Sequence, residues 1–269
     1  STSMPLADVH RLRRRIHAGE VTGPRILTSG PLIDGPGSLH DYLVVTSPQQ
    51  AVTVVDSLHR EGVDFIKVYE LLSREAFAAI VAAARYHGLA VVGHTPVAFG
   101  DPGEALDAGM RSLEHSEKLR ILCSSRRADV AAMIRRSEDL WAVGDSTTAR
   151  QVWEESTEMS LLSYDASTCE AAGRALARGG IWFTPTLTLD LRSAPPVLEA
   201  EETVFRDPSF RYIPRPTLEG WRRRYRSAVI DTIAGGYAPI REQAQRVLAL
   251  VGAVHRGGAA ILAGTDGSA

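Results

Sequence analysis

The sequence lacks the features that define several classes of protein. Only two of its 269 residues are cysteine, Cys123 and Cys169, and they lie outside any paired metal-ligand spacing. The sequence therefore predicts two ordinary buried or half-buried thiols and neither a disulfide framework nor a zinc ribbon. No apolar run approaches the roughly 20 residues that cross a bilayer, and the first residues show no signal pattern. We expect a soluble chain without membrane contact and a cytoplasmic location.

The chain also lacks an excess of charge of either sign. It has 30 Lys and Arg against 32 Asp and Glu, for a formal net charge of -2, whereas nucleic acids and anionic membranes attract basic surfaces. Residues 221–226 combine four arginines with two aromatic side chains, a combination that can contact nucleic acid. In a chain of balanced charge the segment is better interpreted as a solvated amphipathic helix. We expect a small-molecule or dipeptide-like substrate and no nucleic acid, and we leave homo-oligomerisation open.

What the sequence does contain is a series of short β-rich apolar runs, each followed by a helix-like segment. Hydrophobic residues make up 44% of the chain, a typical value for a globular protein. The runs are residues 25–30, 65–69, 90–94, 112–115, 181–186 and 259–266. The clearest helices are residues 49–62, 73–88, 102–109 and 168–179, each ending in glycine. This alternation predicts a parallel α/β fold, but periodicity does not distinguish a barrel from a doubly wound open sheet.

Four of these runs have a side chain that could bind a metal at or near the carboxyl end. The four residues are Lys67, His94, His115 and Asp266. Sites in parallel α/β folds assemble at this edge, and imidazole and carboxylate groups are the usual ligands of zinc. A bound cation lowers the pKa of a water ligand to about 7. A nearby carboxylate can accept the proton of that water, a role that the position of Asp266 suits.

The same segments resemble a known family. Residues 65–69, 92–95, 112–115 and 263–266 stand in the order and spacing of barrel strands four, five, six and eight of the amidohydrolase superfamily. The resemblance is to the branch that includes imidazolonepropionase-like and Xaa-Pro dipeptidase-like enzymes, and residues 23–30 look like its third strand. It implies a (β/α)₈ TIM barrel of the metal-dependent hydrolase type. It also implies hydrolysis of a C–N bond in an amide, cyclic amide or dipeptide.

The resemblance also implies roles for individual residues. Lys67 would be carboxylated by carbon dioxide and bridge two metal ions, most simply zinc, because an ammonium has no lone pair to donate. His94 and His115 would hold the second ion. Asp266 would bind metal and shuttle the proton, whereas His40 and Tyr69 would face the substrate.

The sequence departs from the family at the first strand, which in amidohydrolases has a His-x-His pair. No such pair occurs in this sequence. We expect residues 1–269 to form one partial barrel domain without the first two strands and without the small β-sandwich. An alternative is a catalytically silent scaffold. A cofactor-binding open sheet is disfavoured because a Gly-rich phosphate turn is missing.

Two further side chains, Glu114 and Lys67, have structural interpretations at this stage. Glu114 precedes His115, so alternation along a strand predicts that it points to the opposite side and acts as an ion-pair partner. Lys67 could pair with Asp64 or Glu70 instead of carrying a carboxyl group.

Overall fold

The computed structural model describes residues 4–37, 42–188, 205–235 and 238–266 as a mixed α/β protein. The strands are β1 (Ile33–Asp34), β2 (Leu43–Val44), β3 (Phe65–Val68), β4 (Ala90–Gly93), β5 (Ser112–Glu114), β6 (Trp182–Thr184) and β7 (Ala260–Ile261). The helices are α1 (Leu6–His17), α2 (Pro48–Arg60), α3 (Arg74–Tyr86), α4 (Pro102–Asp107), α5 (Ser116–Leu122), α6 (Arg127–Ala142), α7 (Ser146–Leu162), α8 (Ala166–Gly179), α9 (Arg215–Gly235) and α10 (Ala238–Arg256). None of the helices in these described ranges is long and apolar enough to cross a membrane.

All strand pairs in the described residues are parallel. They form one sheet with the order β2-β1-β3-β4 and another with the order β5-β6-β7. The two sheets meet where the amide of Arg111 donates a hydrogen bond of 2.8 Å to the carbonyl oxygen of Val91. From β3 to β7 the strands therefore follow one another in chain order, and their carboxyl ends share one edge.

Five of the six predicted runs contain a strand, but the prediction of a strand over residues 25–30 is wrong. In this segment the carbonyl oxygen of Thr28 accepts a hydrogen bond from the amide of Asp64, which precedes β3. The segment forms no ladder of strand hydrogen bonds. Pro31 has no amide hydrogen, and the ladder begins only after it, at Ile33. The two-residue strand β2 was too short to be recognised from its sequence.

Side-chain caps explain where the helices begin. Ser47 and Ser73 accept bonds from amides in the first turns of α2 and α3, and Asp101 and Asp165 do the same for α4 and α8. Such caps stabilise a helix by about 1 kcal/mol each because they satisfy amides that lack an intrahelical partner. The four helices predicted from sequence are present, and residues 116–167 form α5, α6, α7 and the start of α8.

The core lies between the strands and the helices that cover them. Ile66 and Val68 of β3, Leu113 of β5 and Phe183 of β6 are fully buried in it, together with Phe77 of α3. Because side chains alternate along a strand, Lys67 projects from the other face of β3. That face is where polar groups collect.

The two cysteines form a disulfide, so the prediction of separate thiols is wrong. Cys123 caps the carboxyl end of α5, and Cys169 lies in the first turns of α8. The amide of Asp165, at the start of α8, donates a bond of 3.0 Å to the carbonyl oxygen of Cys123. Tertiary packing thus joins residues that are 46 positions apart, which spacing alone did not reveal.

Gly93 provides a test of how tightly β3 and β4 pack beside the site. Its φ is +118°, and an added Cβ would overlap the carbonyl oxygen of Val68. We expect Gly93→Ala to lower the free energy of unfolding by about 3 kcal/mol or more, measured by urea denaturation. Gly88 is the matched control, because its φ is +71° but no atom lies within 4 Å of an added Cβ. Gly88→Ala should cost only about 1–2 kcal/mol, and equal losses for the two variants would contradict the overlap.

Candidate functional site

Two histidines from adjacent strand ends meet at the carboxyl edge. The amide of His94, directly after β4, donates a bond of 3.1 Å to Val68, and that of His115, directly after β5, donates one of 2.9 Å to Thr184. These backbone bonds hold both residues in register with the neighbouring strands. The two Nε2 atoms lie 2.9 Å apart. The imidazoles predicted to share a site are therefore brought together.

Glu114 is a third member of this group. One ligand atom from each of His94, Glu114 and His115 lies within 4.8 Å of the others. The prediction that Glu114 points away from His115 is wrong, because β5 ends at Glu114 and His115 has a φ of +63° as it leads into α5. The two-residue alternation of the strand does not continue through that left-handed residue.

Glu114 forms an ion pair with Lys67. The sequence predicted an ion-pair role for Glu114 but not which residue would be its partner. The Nζ of Lys67 lies 3.0 Å from Oε2 of Glu114, and both side chains are largely buried. The alternative partners considered for Lys67 bind elsewhere, since Asp64 pairs with Arg13 and Glu70 pairs with Lys118. Lys67 thus reaches the candidate site through Glu114.

Asp266 lies near His115, and Tyr69 lies against His94. Oδ2 of Asp266 lies 4.0 Å from Nε2 of His115, and 55% of the Asp266 side chain is exposed. The ring of Tyr69 packs 4.2 Å from the ring of His94. Burial and the carboxylate of Glu70 raise the pKa of Tyr69 to about 12, so its hydroxyl stays protonated. His40 falls outside the residues that the structure describes.

His115 has an environment that favours the neutral imidazole. Burial and the neighbouring His94 lower its pKa, and these effects outweigh the carboxylates of Asp266 and Glu114. Its Nδ1 lies 2.6 Å from Oγ1 of Thr186. If the hydroxyl of Thr186 donates to Nδ1, the hydrogen of the neutral ring is on Nε2 and faces Nε2 of His94.

Sequence reasoning missed a buried ion pair behind His94. Oε1 of Glu70 lies 3.4 Å from Nδ1 of His94 and 2.9 Å from Nζ of Lys118, whose side chain is only 7% exposed. Burial raises the pKa of Glu70, but the bond from His94 and the ammonium of Lys118 outweigh it, so the pKa falls to about 2. Burial lowers the pKa of Lys118, but Glu70 and Glu117 outweigh it and raise the pKa. No sequence pattern indicated this pair, because Lys118 lies in a short helix that also contains Glu117 and Arg120.

Two cavities lie near these residues. One, of about 170 Å³, lies between α5, α6 and α7 and is lined by Lys118 and Trp153 among others. The other, of about 240 Å³, is formed by segments that follow β1 to β4 and by Glu138 of α6. Residues in the segment 116–167 therefore line the first of these cavities.

The donor atoms fit a divalent cation. Two imidazoles and a carboxylate are ligand types that zinc accepts, and the lowered pKa of His115 keeps a lone pair available. Asp266 is near enough to join them after a small movement of an exposed side chain.

Comparison with known proteins gives a likeness in three-dimensional structure. A solved structure of a bottromycin amidohydrolase matches with a TM-score of 0.54 and 23% identity over 95% of this chain. The chain has an amidohydrolase-like fold. It spans about half of that protein, covering 49% of its length. No protein-family model matches the sequence, and no curated protein matches it.

Two further solved structures match less well. A Xaa-Pro dipeptidase with bound methionine gives a TM-score of 0.47 and 18% identity, over 96% of this chain and 52% of its own. An ochratoxinase from A. niger gives a TM-score of 0.46 and 14% identity, over 95% of this chain and 49% of its own. At this level of similarity neither match informs the chemistry of this chain.

Proposed function

We propose that this chain is part of a metal-dependent hydrolase that cleaves a C–N bond in an amide, cyclic amide or dipeptide. The observation that supports the proposal is the convergence of His94, Glu114 and His115 at the carboxyl edge of parallel strands, with Asp266 beside them. The amidohydrolase-like fold agrees with this chemistry. We also propose that the strands, which follow one another in chain order from β3 to β7, belong to a (β/α)₈ barrel and that residues 1–269 form one partial domain of it.

The roles of the residues follow from their positions. His94, His115 and Asp266 would hold a divalent cation, with Glu114 as a further carboxylate within reach, and zinc best matches imidazole and carboxylate donors. Such a cation activates a water molecule by lowering its pKa. Asp266 is exposed and close to His115, so it would accept the proton of that water and deliver it to the leaving amine. Tyr69 would contact the substrate from the His94 side, and we keep His40 as a proposed substrate contact.

Lys67 is the residue whose chemical form matters most. In the structure its Nζ pairs with Glu114 at 3.0 Å, a distance typical of an ammonium. Carboxylation of Lys67, which we propose for the active form, would place a second negative group beside Glu114. Two carboxylates in contact repel, so that form requires a cation between or beside them. Carboxylation and metal binding should therefore occur together.

Metal analysis and an activity assay test the proposal. After incubation with zinc and dialysis, we expect one or two ions per chain by mass spectrometry. A panel of dipeptides and cyclic amides should be hydrolysed at a rate that falls when a zinc chelator is added and recovers with zinc. A metal-free protein with undiminished hydrolysis would exclude the proposal.

A second candidate is a catalytically silent scaffold. It is favoured by the missing His-x-His pair and by the engagement of Lys67 with Glu114, which together leave an incomplete ligand set for two ions. Measurable turnover by the 269-residue chain alone, lost in the His115→Ala variant, would count against it.

A further inference from the structure

His94 is held on two sides by consecutive residues that follow β3. The ring of Tyr69 packs against it with centroids 4.2 Å apart, and the carboxylate of Glu70 faces its Nδ1 at 3.4 Å. The backbone of Glu70 is fixed as well, because its carbonyl oxygen accepts a bond of 2.9 Å from the amide of Val97. The contact between Glu70 and His94 thus joins the ends of β3 and β4.

Lys118 forms an ion pair with Glu70. Its Nζ lies 2.9 Å from the oxygen of Glu70 that faces His94, and 3.5 Å from Glu117. Lys118 lies in α5, which begins directly after His115. The segment that places one histidine therefore also anchors the carboxylate that contacts the other.

A carboxylate beside Nδ1 determines where the imidazole keeps its hydrogen. An ionised carboxylate only accepts hydrogen bonds, so Nδ1 of a neutral His94 must be protonated to satisfy it. Nε2 then has the free lone pair, and Nε2 is the atom that lies 2.9 Å from His115. Carboxylates in this arrangement orient metal-binding histidines and increase the basicity of the ring.

We infer that Glu70 and Lys118 are positioning residues that fix the tautomer and orientation of His94, with its Nε2 lone pair directed at the site. The inference rests on the proposed function where it concerns metal affinity. The tautomer itself depends only on this chain and can be measured without a metal.

The tautomer of His94 can be measured directly by NMR. The 269-residue chain is labelled with ¹⁵N-histidine, stripped of metal with EDTA and studied at pH 8, where an ordinary histidine is neutral. Two-bond ¹H–¹⁵N correlations distinguish the two tautomers, and the signals that disappear in His94→Gln identify the residue. In the parent chain we expect the hydrogen on Nδ1.

Variants of Glu70 separate a positioning role from a structural one. Glu70→Ala should shift His94 toward the form with the hydrogen on Nε2, whereas Glu70→Gln, which keeps an oxygen acceptor, should retain much of the parent tautomer. Glu104→Ala is the matched control, because it removes a half-exposed carboxylate that pairs with Arg74. It should change nothing at His94. A parent tautomer that persists in Glu70→Ala would overturn the inference.

Zinc affinity provides a second readout, measured by competition with a chromophoric chelator. We expect Glu70→Ala to bind zinc about 10–100-fold more weakly than the parent, and Glu70→Gln to be intermediate. Unchanged zinc affinity in Glu70→Ala would overturn the metal-related part of the inference. If the parent binds no zinc, the proposed function fails, and the tautomer measurement in the metal-free chain still decides whether Glu70 positions His94.

Lys118 is tested in the same way. Lys118→Met keeps the length and apolar character of the side chain but leaves Glu70 without its ammonium. We expect a partial loss of the parent tautomer in the folded variant, checked by circular dichroism. Because the loss of one partner of a buried pair is costly, Lys118→Arg is the companion variant that keeps the charge. If the folded Lys118→Met variant keeps the parent tautomer of His94, Lys118 is not a positioning residue.

Discussion

Replacement of His115 by alanine is expected to abolish tight zinc binding and, with it, hydrolysis. His115 contributes one of the two Nε2 atoms that lie 2.9 Å apart, and its side chain is only 14% exposed, so no other group can take its place without rearrangement. Loss of an outer-shell partner costs about 10–100-fold in metal affinity, and loss of a ligand should exceed that range. We expect the affinity measured by chelator competition to fall more than about 100-fold.

His87 supplies the control for this variant. It is buried to a similar extent, pairs with Asp56 at 2.7 Å and stacks on His59, but it belongs to the other side of the molecule from the strand ends. His87→Ala should lose some stability and keep its zinc affinity. If His115→Ala is folded and binds zinc as tightly as the parent, the site is not where we place it.

Removal of the disulfide is expected to have the largest effect on stability. The bond joins residues 46 positions apart, and the loss of chain entropy on closing a loop of that length corresponds to about 4 kcal/mol at 25 °C. The double variant Cys123→Ala/Cys169→Ala should therefore unfold at a lower urea concentration. Its Tm should fall by roughly 8–16 °C for a chain of this size.

The parent chain with and without a reductant completes this experiment. Both cysteines are fully buried, so the reductant must be present during unfolding and refolding. The reduced parent should approach the double variant, and the double variant should not respond to the reductant. Equal unfolding free energies for oxidised parent and double variant would show that the bond does not stabilise the fold.

The sequence was sufficient for the features that depend on local chemistry. Ser73 at the start of α3 and Gly88 after its end gave that helix its limits, and the apolar residues around Lys67 marked β3. The strand ends also indicated which polar residues would meet, because parallel strands place their carboxyl ends at one edge. The structure brings His94 and His115 together as that reasoning required.

What the sequence did not reveal depended on tertiary contacts or on a single backbone angle. The direction of Glu114 was wrong because one left-handed residue, His115, interrupts the alternation. The disulfide needed the packing of α5 against α8, which no pattern in either helix encodes. Glu70 was considered as a partner for Lys67, but its contacts are with His94 and Lys118, which approach from other elements.

The short helix α5 is anchored at both of its ends. Its first turn is held to the end of β3 through Lys118 and Glu70, and its last residue is followed by Cys123, bonded to α8. His115, directly before the helix, therefore has little freedom to drift relative to His94. A ligand that arrives finds donors that are already ordered, so less conformational entropy is lost when it binds. Selectivity among cations would then depend mainly on how well each ion fits the fixed spacing of the donor atoms. The ability of an ion to reorder flexible side chains would matter less.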